Sequence, residues 1–304
     1  MTEATRTVTV RVPATTANLG PGFDTLGLAL SLYDELTVTA LDAPGLEITV
    51  EGVGADDVPR DASNLVVSSI AYVYKAVGQP MPGLRLHAVN AIPHGRGLGS
   101  SGAAVVSGIV AARGLLEGIV DISPADLLRI ATEIEGHPDN VAPSLFGGLT
   151  IAWLDEQGPQ HKKLIVHRGV SPVVFVPSFT MSTKLARSLQ PESVPHQDAI
   201  FNVSRSALLI AALTQSPELM MAATEDKLHQ SYRAAAMPET DALVRMLRAE
   251  GFAAVVSGAG PSVLVLADGP GQRAIAAELV ERHAASPWRA FMLAVDVKGA
   301  TVRE

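Results

Sequence analysis

Pro93-His94-Gly95-Arg96-Gly97-Leu98-Gly99-Ser100-Ser101-Gly102-Ala103-Ala104 crowds four glycines and two serines ahead of the apolar pair Val105-Val106. Leu84, Leu86 and Ala88 alternate just before it and read as a strand, and the apolar run after it reads as a helix starting near Ser101. Glycine lets a backbone take positive φ and approach a ligand closely. A helix N-terminus adds unpaired N–H groups and a partial positive charge. Strand, glycine loop and helix start in that order make an anion site, most naturally one for phosphate. A purely structural loop packing a helix on a sheet stays open, but the Ser100 and Ser101 hydroxyls can reach phosphate oxygens or a magnesium ion. His94 and Arg96 add cations at the rim.

Two familiar phosphate loops are disfavoured. Gly97-x-Gly99-x-x-Gly102 formally matches the dinucleotide fingerprint, which needs a parallel strand–helix–strand unit and an acid about 20 residues on. Glu117 and Asp121, at that distance, sit at a helix end and in the link to the next helix. No Gly-Lys-Ser/Thr follows the loop, so it is not a P-loop either.

Outward from the loop, the chain has 304 residues, enough for two ordinary domains. With 47% hydrophobic and 18% charged residues it is a globular mixture without long disorder. Its net charge of −8 and lack of a basic block argue against nucleic acid as a partner. There is no cysteine, which removes disulfides and thiolate chemistry. Met1-Thr2-Glu3-Ala4-Thr5-Arg6 lacks an apolar signal core, and no apolar run approaches the ~18 residues of a membrane span. A cytoplasmic protein with no membrane association is expected.

Val8, Val10 and Val12 predict a strand ending at Pro13, followed by a turn-rich stretch to Asp24. Leu28 to Val38 and Leu46 to Val50 alternate again, so the chain is expected to open as an antiparallel meander. Asn64 and Gly78 bound a helix, as do Ser123-Pro124 and Gly136. His137 to Gly148 reads as turns and small residues, and Leu149–Trp153 as a strand. The polar stretch after Gln157 predicts a division into domains 1–160 and 161–304. Helices alternate with antiparallel strands in the second half, giving an α+β class overall. There Ser257-Gly258-Ala259-Gly260-Pro261, between two strands, is either a plain hairpin turn or a backbone brought close to the active site.

Asn18, Asp24, Glu133, Glu135, His137, Asp139 and Asn140 stand in or beside Gly/Pro-rich turns, where such residues most often bond local backbone. His137 has no second histidine at zinc-ligand spacing. Glu135 ends a helix, where its carboxylate can meet a phosphate-bound Mg²⁺. Arg187 and Arg233 each suit a solvated helix face, or together a clamp on the carboxylate of a small substrate.

Four ordered stretches carry a resemblance spanning nearly the whole chain: Pro13 to Leu30, Ile92 to Ala104, Glu135 to Leu149 and Ser257 to Leu266. In them the chain resembles the homoserine kinase branch of the GHMP small-molecule kinase superfamily. That resemblance implies a two-domain fold, an N-terminal domain like ribosomal protein S5 domain 2 and a ferredoxin-like C-terminal domain. It implies ATP-dependent phosphorylation of the L-homoserine hydroxyl to O-phospho-L-homoserine, on the route to threonine, by a homodimer. Pro93 to Ala103 would wrap the ATP phosphates. Ser101 (or Ser100) and Glu135 would hold Mg²⁺, with Glu133 an alternative to Glu135. Asn18, Asp24, His137, Asp139, Asn140, Thr183, Arg187, Arg233 and Gly260 would line the homoserine pocket. There the arginines would take the carboxylate and Asp24 the amino group. Asn18, Glu135, Asp139, Asn140 and Arg187 match catalytic positions, although this branch is thought to work without a general base. Another small-molecule kinase of the superfamily, or a catalytically silent nucleotide-binding relative, fits the same motifs.

Overall fold

Thr7–Asn18 (β1) and Gly22–Leu41 (β2) form a long antiparallel pair, shifted in register between Pro13 and Ala14 and again between Ala17 and Asn18. The computed structural model behind this description covers residues 6–303; the Met1–Thr5 stretch read above for a signal lies outside the described residues. The first strand therefore does not end at Pro13. Val12 to Asn18 is buried on both faces, which erases the alternation that marks a half-buried strand, and Pro13 sits at the bulge where its missing N–H is tolerated.

Leu46–Gly52 (β3) does not continue a meander. It pairs parallel with Gly83–Asn90 (β4), which lies between it and β2. A parallel pair needs a long crossover, supplied here by residues 53–82 with the helix Leu65–Ala76 (α1). The Asn64 side chain caps α1 by accepting from the Val66 N–H at 2.9 Å. Ser100–Leu115 (α2) and Pro124–Glu135 (α3) follow. Ser123 and Asp126 close a reciprocal capping box on α3, and Gly136 ends it in the left-handed region.

The expected turns after His137 are instead a helix, Pro138–Phe146 (α4). Pro138 and Pro143 disguise it. Pro143 removes the N–H that the Asp139 carbonyl would accept, and that carbonyl packs on Gly27 of β2, where a Cβ would come within 2.1 Å. Leu149–Asp155 (β5) pairs with β2, and Gly158–Leu164 (β6) pairs with β5.

A second sheet joins Val170–Pro177 (β7), Ala254–Val256 (β8), Val263–Asp268 (β9) and Trp288–Met292 (β10), all antiparallel, in the order β10-β7-β9-β8. Between β7 and β8 lie Thr183–Ser188 (α5), His196–Thr214 (α6), Met220–Ala223 (α7), Gln230–Arg233 (α8) and Pro238–Ala249 (α9); Gly269–His283 (α10) links β9 to β10. With α9 and α10 packed on this sheet, the strand order is the ferredoxin-like one. Thr301–Arg303 (β11) then returns to pair with β1. The division expected at residue 160 falls inside β6, and the two sheets share a core in which Val10 and Leu28 join Val174 and Leu264.

Candidate active site

Three separated stretches interlock around the glycine loop. Gly99 is the N-cap of α2 with φ 69°, and no side chain caps it. A Cβ there would lie 2.0 Å from Thr15 Oγ1 and 3.1 Å from Asn140 Oδ1. At Gly97 a Cβ would meet the Ser257 carbonyl at 2.1 Å. The Thr15 N–H donates to the Leu98 carbonyl at 3.1 Å, and Ser257 Oγ lies 2.6 Å from the Gly97 carbonyl. Ser257 to Pro261 is thus both readings at once: it turns β8 into β9, and its backbone lies against the loop.

The uncapped start of α2 opens on a cleft of about 170 Å³. Its walls include sixteen of the residues singled out in the sequence: Asn18, Asp24, Gly95, Arg96, Gly97, Gly99, Ser100, Ser101, Glu135, His137, Asp139, Asn140, Thr183, Arg187, Arg233 and Gly260. Pro93, Leu98 and Ala103 are buried, Leu98 and Ala103 within the main core, and with Gly102 they line neither this cleft nor the cavity beside it. His94 belongs to that second cavity. Arg96 is less free than a rim cation. Its guanidinium donates to the carbonyls of Pro177, His94 and Ser178 at 2.9, 3.0 and 2.6 Å.

Ser101 Oγ donates to Glu135 Oε2 at 2.8 Å, and burial pushes the Glu135 carboxyl above its ordinary range despite that bond. Glu133, two residues earlier on α3, faces elsewhere: Tyr72 and Arg129 hold it at the surface at 2.8 and 2.9 Å. The geometry therefore favours Glu135 over Glu133 as the carboxylate of the cleft. His137 Nδ1 bonds Asp139 Oδ1. Burial alone would lower the imidazole, but its bond to Asp139 and the charges of Asp139 and Glu135 outweigh it, so His137 titrates above its usual value. The Thr15 hydroxyl donates to Asn140 Oδ1 at 2.9 Å, leaving the Asn140 amide N–H groups free of that partner.

On the opposite wall, Asn18 bridges the two halves of the chain. Its Nδ2 donates to the Gly258 carbonyl and its Oδ1 accepts the Asp24 N–H, each at 3.0 Å. Arg187 grips Asp24 bidentately at 3.0 and 3.0 Å. The two arginines are thus not equivalent. Arg233 is 2% exposed, donates to the Gly258 carbonyl at 3.3 Å and lies over the Phe23 ring at 5.3 Å. Among the described residues no carboxylate forms an ion pair with it.

A second cavity of about 310 Å³ meets the first at Ser100 and Ser101. Ile48, Val50, Leu86 and Val66 give it an apolar lining, with Pro59 and Asn64 at its edge. None of these was singled out as a site residue: on sequence they are ordinary sheet and helix-cap residues. Phe23, Met181 and Ser182 in the first cleft were missed likewise. Phe23 alone carried a signal, being an aromatic residue inside a turn-forming stretch.

Residues 64–148 match the model of the GHMP kinases N terminal domain, and residues 205–285 that of the GHMP kinases C terminal. The chain is 74% identical over 298 residues to the homoserine kinase of Clavibacter michiganensis subsp. michiganensis, covering 98% of this chain and 94% of that one. The chain belongs to the homoserine kinase family of the GHMP kinase superfamily. A second family member, from Streptomyces coelicolor, is 51% identical over 97% of this chain and 94% of its own. The crystal structure of homoserine kinase from Cytophaga hutchinsonii superposes with a TM-score of 0.87 at 26% identity, covering 100% of this chain and 99% of that one. At 16% identity and a TM-score of 0.71, L. major mevalonate kinase, crystallised with R-mevalonate, shares the fold over 97% of this chain and 96% of its own.

Proposed function

We propose that the protein transfers the γ-phosphoryl group of ATP to the side-chain hydroxyl of L-homoserine, giving O-phospho-L-homoserine for threonine synthesis. The observation that carries this is a single cleft with the uncapped start of α2 on one wall and Asp24, Arg187 and Arg233 on the other. One wall suits phosphate, the other an amino acid. Relatives at 74% and 51% identity bear the name homoserine kinase. The nucleoside belongs in the 310 Å³ apolar cavity, which leads to the phosphates at Ser100 and Ser101.

The residues fit a phosphate-bound Mg²⁺. Among the described residues no group of three His, Cys, Asp or Glu side chains gathers to cage a metal, whereas Ser101 and Glu135 meet at the start of α2. One carboxylate, one hydroxyl and substrate phosphates are the usual Mg²⁺ arrangement. Bound there, the ion would neutralise phosphate charge. The chain's own residues do the positioning on which phosphoryl transfer mostly depends. The α2 N–H groups orient the phosphates, Arg233 and Asp24 orient the amino acid, and Asn140, held through its Oδ1 by Thr15, lines the same cleft.

Asp139 is 2% exposed and already bonded to His137, which suits holding the imidazole rather than taking a proton. Asp139→Asn should retain turnover within about 100-fold, measured by single-turnover kinetics. A loss beyond about 10³-fold, within the range of general-base removal, would make Asp139 the base.

A coupled ADP-release assay tests the activity as a whole. L-homoserine should be turned over, and mevalonate and galactose should not. Phosphorylation of either of those without homoserine turnover, or ATP binding without ADP release, would overturn the proposal.

A further inference from the structure

Among the described residues, the non-glycine residues with positive φ all lie at the junction of β1 and β2. Asn18, Leu19 and Asp24 have φ of 71°, 50° and 55°, and Gly20 has 88°. Three non-glycine residues in the left-handed region within so short a stretch are sustained only when their surroundings fix them. Two of the three, Asn18 and Asp24, are cleft residues. What fixes them comes from the second half of the chain. His229 Nε2 donates to the Gly20 carbonyl at 2.7 Å, and Asn202 Nδ2 and Ser206 Oγ donate to the Pro21 carbonyl at 2.7 and 2.6 Å.

His229 is placed to do more than tie one carbonyl. It is fully buried, and its ring stacks on Phe23 at 4.9 Å with planes 17° apart. Phe23 in turn lies under the Arg233 guanidinium. Asp226 is 3.6 Å from Nε2, but its oxygens accept the N–H groups of Leu228, His229 and Gln230 at 2.9, 3.1 and 2.8 Å, which caps α8. Among the described residues Nδ1 has no hydrogen-bond partner, which suits a neutral imidazole donating from Nε2–H to the turn. Burial favours that neutral form by lowering the imidazole pKa. His229 lines neither cavity and meets no substrate directly.

We propose that His229 is a positioning residue for the amino-acid half of the site, holding the contorted turn and Phe23 so that Asn18, Asp24 and Arg233 converge on L-homoserine; this presupposes the activity proposed above. Steady-state kinetics on full-length variants tests it. His229→Phe keeps an aromatic ring to stack on Phe23, in a somewhat larger side chain, but removes the donor. It should raise KM for L-homoserine about tenfold while leaving KM for ATP within about twofold. His229→Gln, whose amide N–H can occupy the Nε2 position, should restore most of the loss. A purely structural role would not give this split and rescue. If His229→Phe does not fold, Asn202→Ala, which cuts another tether to the same turn, should show the same one-sided rise. An unchanged homoserine KM in the folded variant, an equal rise in both KM values, or no rescue by Gln would overturn the role of His229 alone. Failure of the unmodified protein to turn over homoserine would overturn the activity itself and this substrate assignment with it.

Discussion

Glu135→Gln should lower kcat by about 10²- to 10³-fold and raise the Mg²⁺ concentration needed for half-maximal rate, with KM for L-homoserine within about threefold. Glutamine preserves the shape of the side chain and its acceptance of the Ser101 hydroxyl, which in the wild type is 2.8 Å from Glu135 Oε2. What it removes is the charge. That charge sits at the mouth of α2, where the α3 terminus and the left-handed Gly136 fix its direction. Desolvation there disfavours the charge and raises the carboxyl pKa, an effect a cation bound beside it would offset. Glu133→Gln is the control. Its carboxylate is held at the surface by Tyr72 and Arg129, so the rate should change by less than about twofold. Initial rates of ADP release over a Mg²⁺ titration check both. Full activity of Glu135→Gln at limiting Mg²⁺ would show that the carboxylate does not serve the metal.

That Glu135 rather than Glu133 faces the cleft was beyond the sequence, because two acids two residues apart on a helix differ only in which neighbour each meets. The features that could be read directly are those written in adjacent residues. Asn64 caps α1, Ser123 and Asp126 cap α3, and Gly136 stops it, each through local hydrogen bonds. Features set by distant partners were not legible. β3 alternates like any strand, and nothing in it says that β4, some forty residues later, will insert beside it in parallel. Residues 12–18 lose their alternation because both faces are covered. Pro143 reads as a helix breaker until Gly27 opens room for the carbonyl it leaves unpaired. The site divides in the same way. Motifs with unusual composition led to the first cleft, whereas the second cavity is walled by valine, leucine and isoleucine indistinguishable from core. Leu98 and Ala103 lie in the glycine stretch with their side chains packed inward, so they face the site through their backbone alone.

Arg233→Lys should raise KM for L-homoserine about 100-fold, equivalent to about 2.7 kcal/mol, and leave KM for ATP nearly unchanged. A guanidinium that is 2% exposed normally has a carboxylate partner, and none of the described residues gives Arg233 one. Its protein contacts are with the Gly258 carbonyl, the face of Phe23 and, with the amide oxygen of Gln190 turned toward it, an acceptor 2.9 Å from Nε. Burial lowers its pKa, partly offset by Asp24. A substrate carboxylate is the group that would complete this environment, by the paired N–H contacts that arginine alone can make. Lysine keeps the charge but not the fork, so the substitution is not a conservative one here. Arg187→Lys should have the milder effect, about tenfold, because Arg187 is 42% exposed and pairs with Asp24. A substrate lacking the carboxylate isolates the interaction. 3-Aminopropan-1-ol has the same chain and hydroxyl, and on it the wild type and Arg233→Lys should differ by less than about threefold, since the group that distinguishes them is gone. If the 100-fold difference persisted on that alcohol, Arg233 would be supporting the cleft rather than reading the carboxylate.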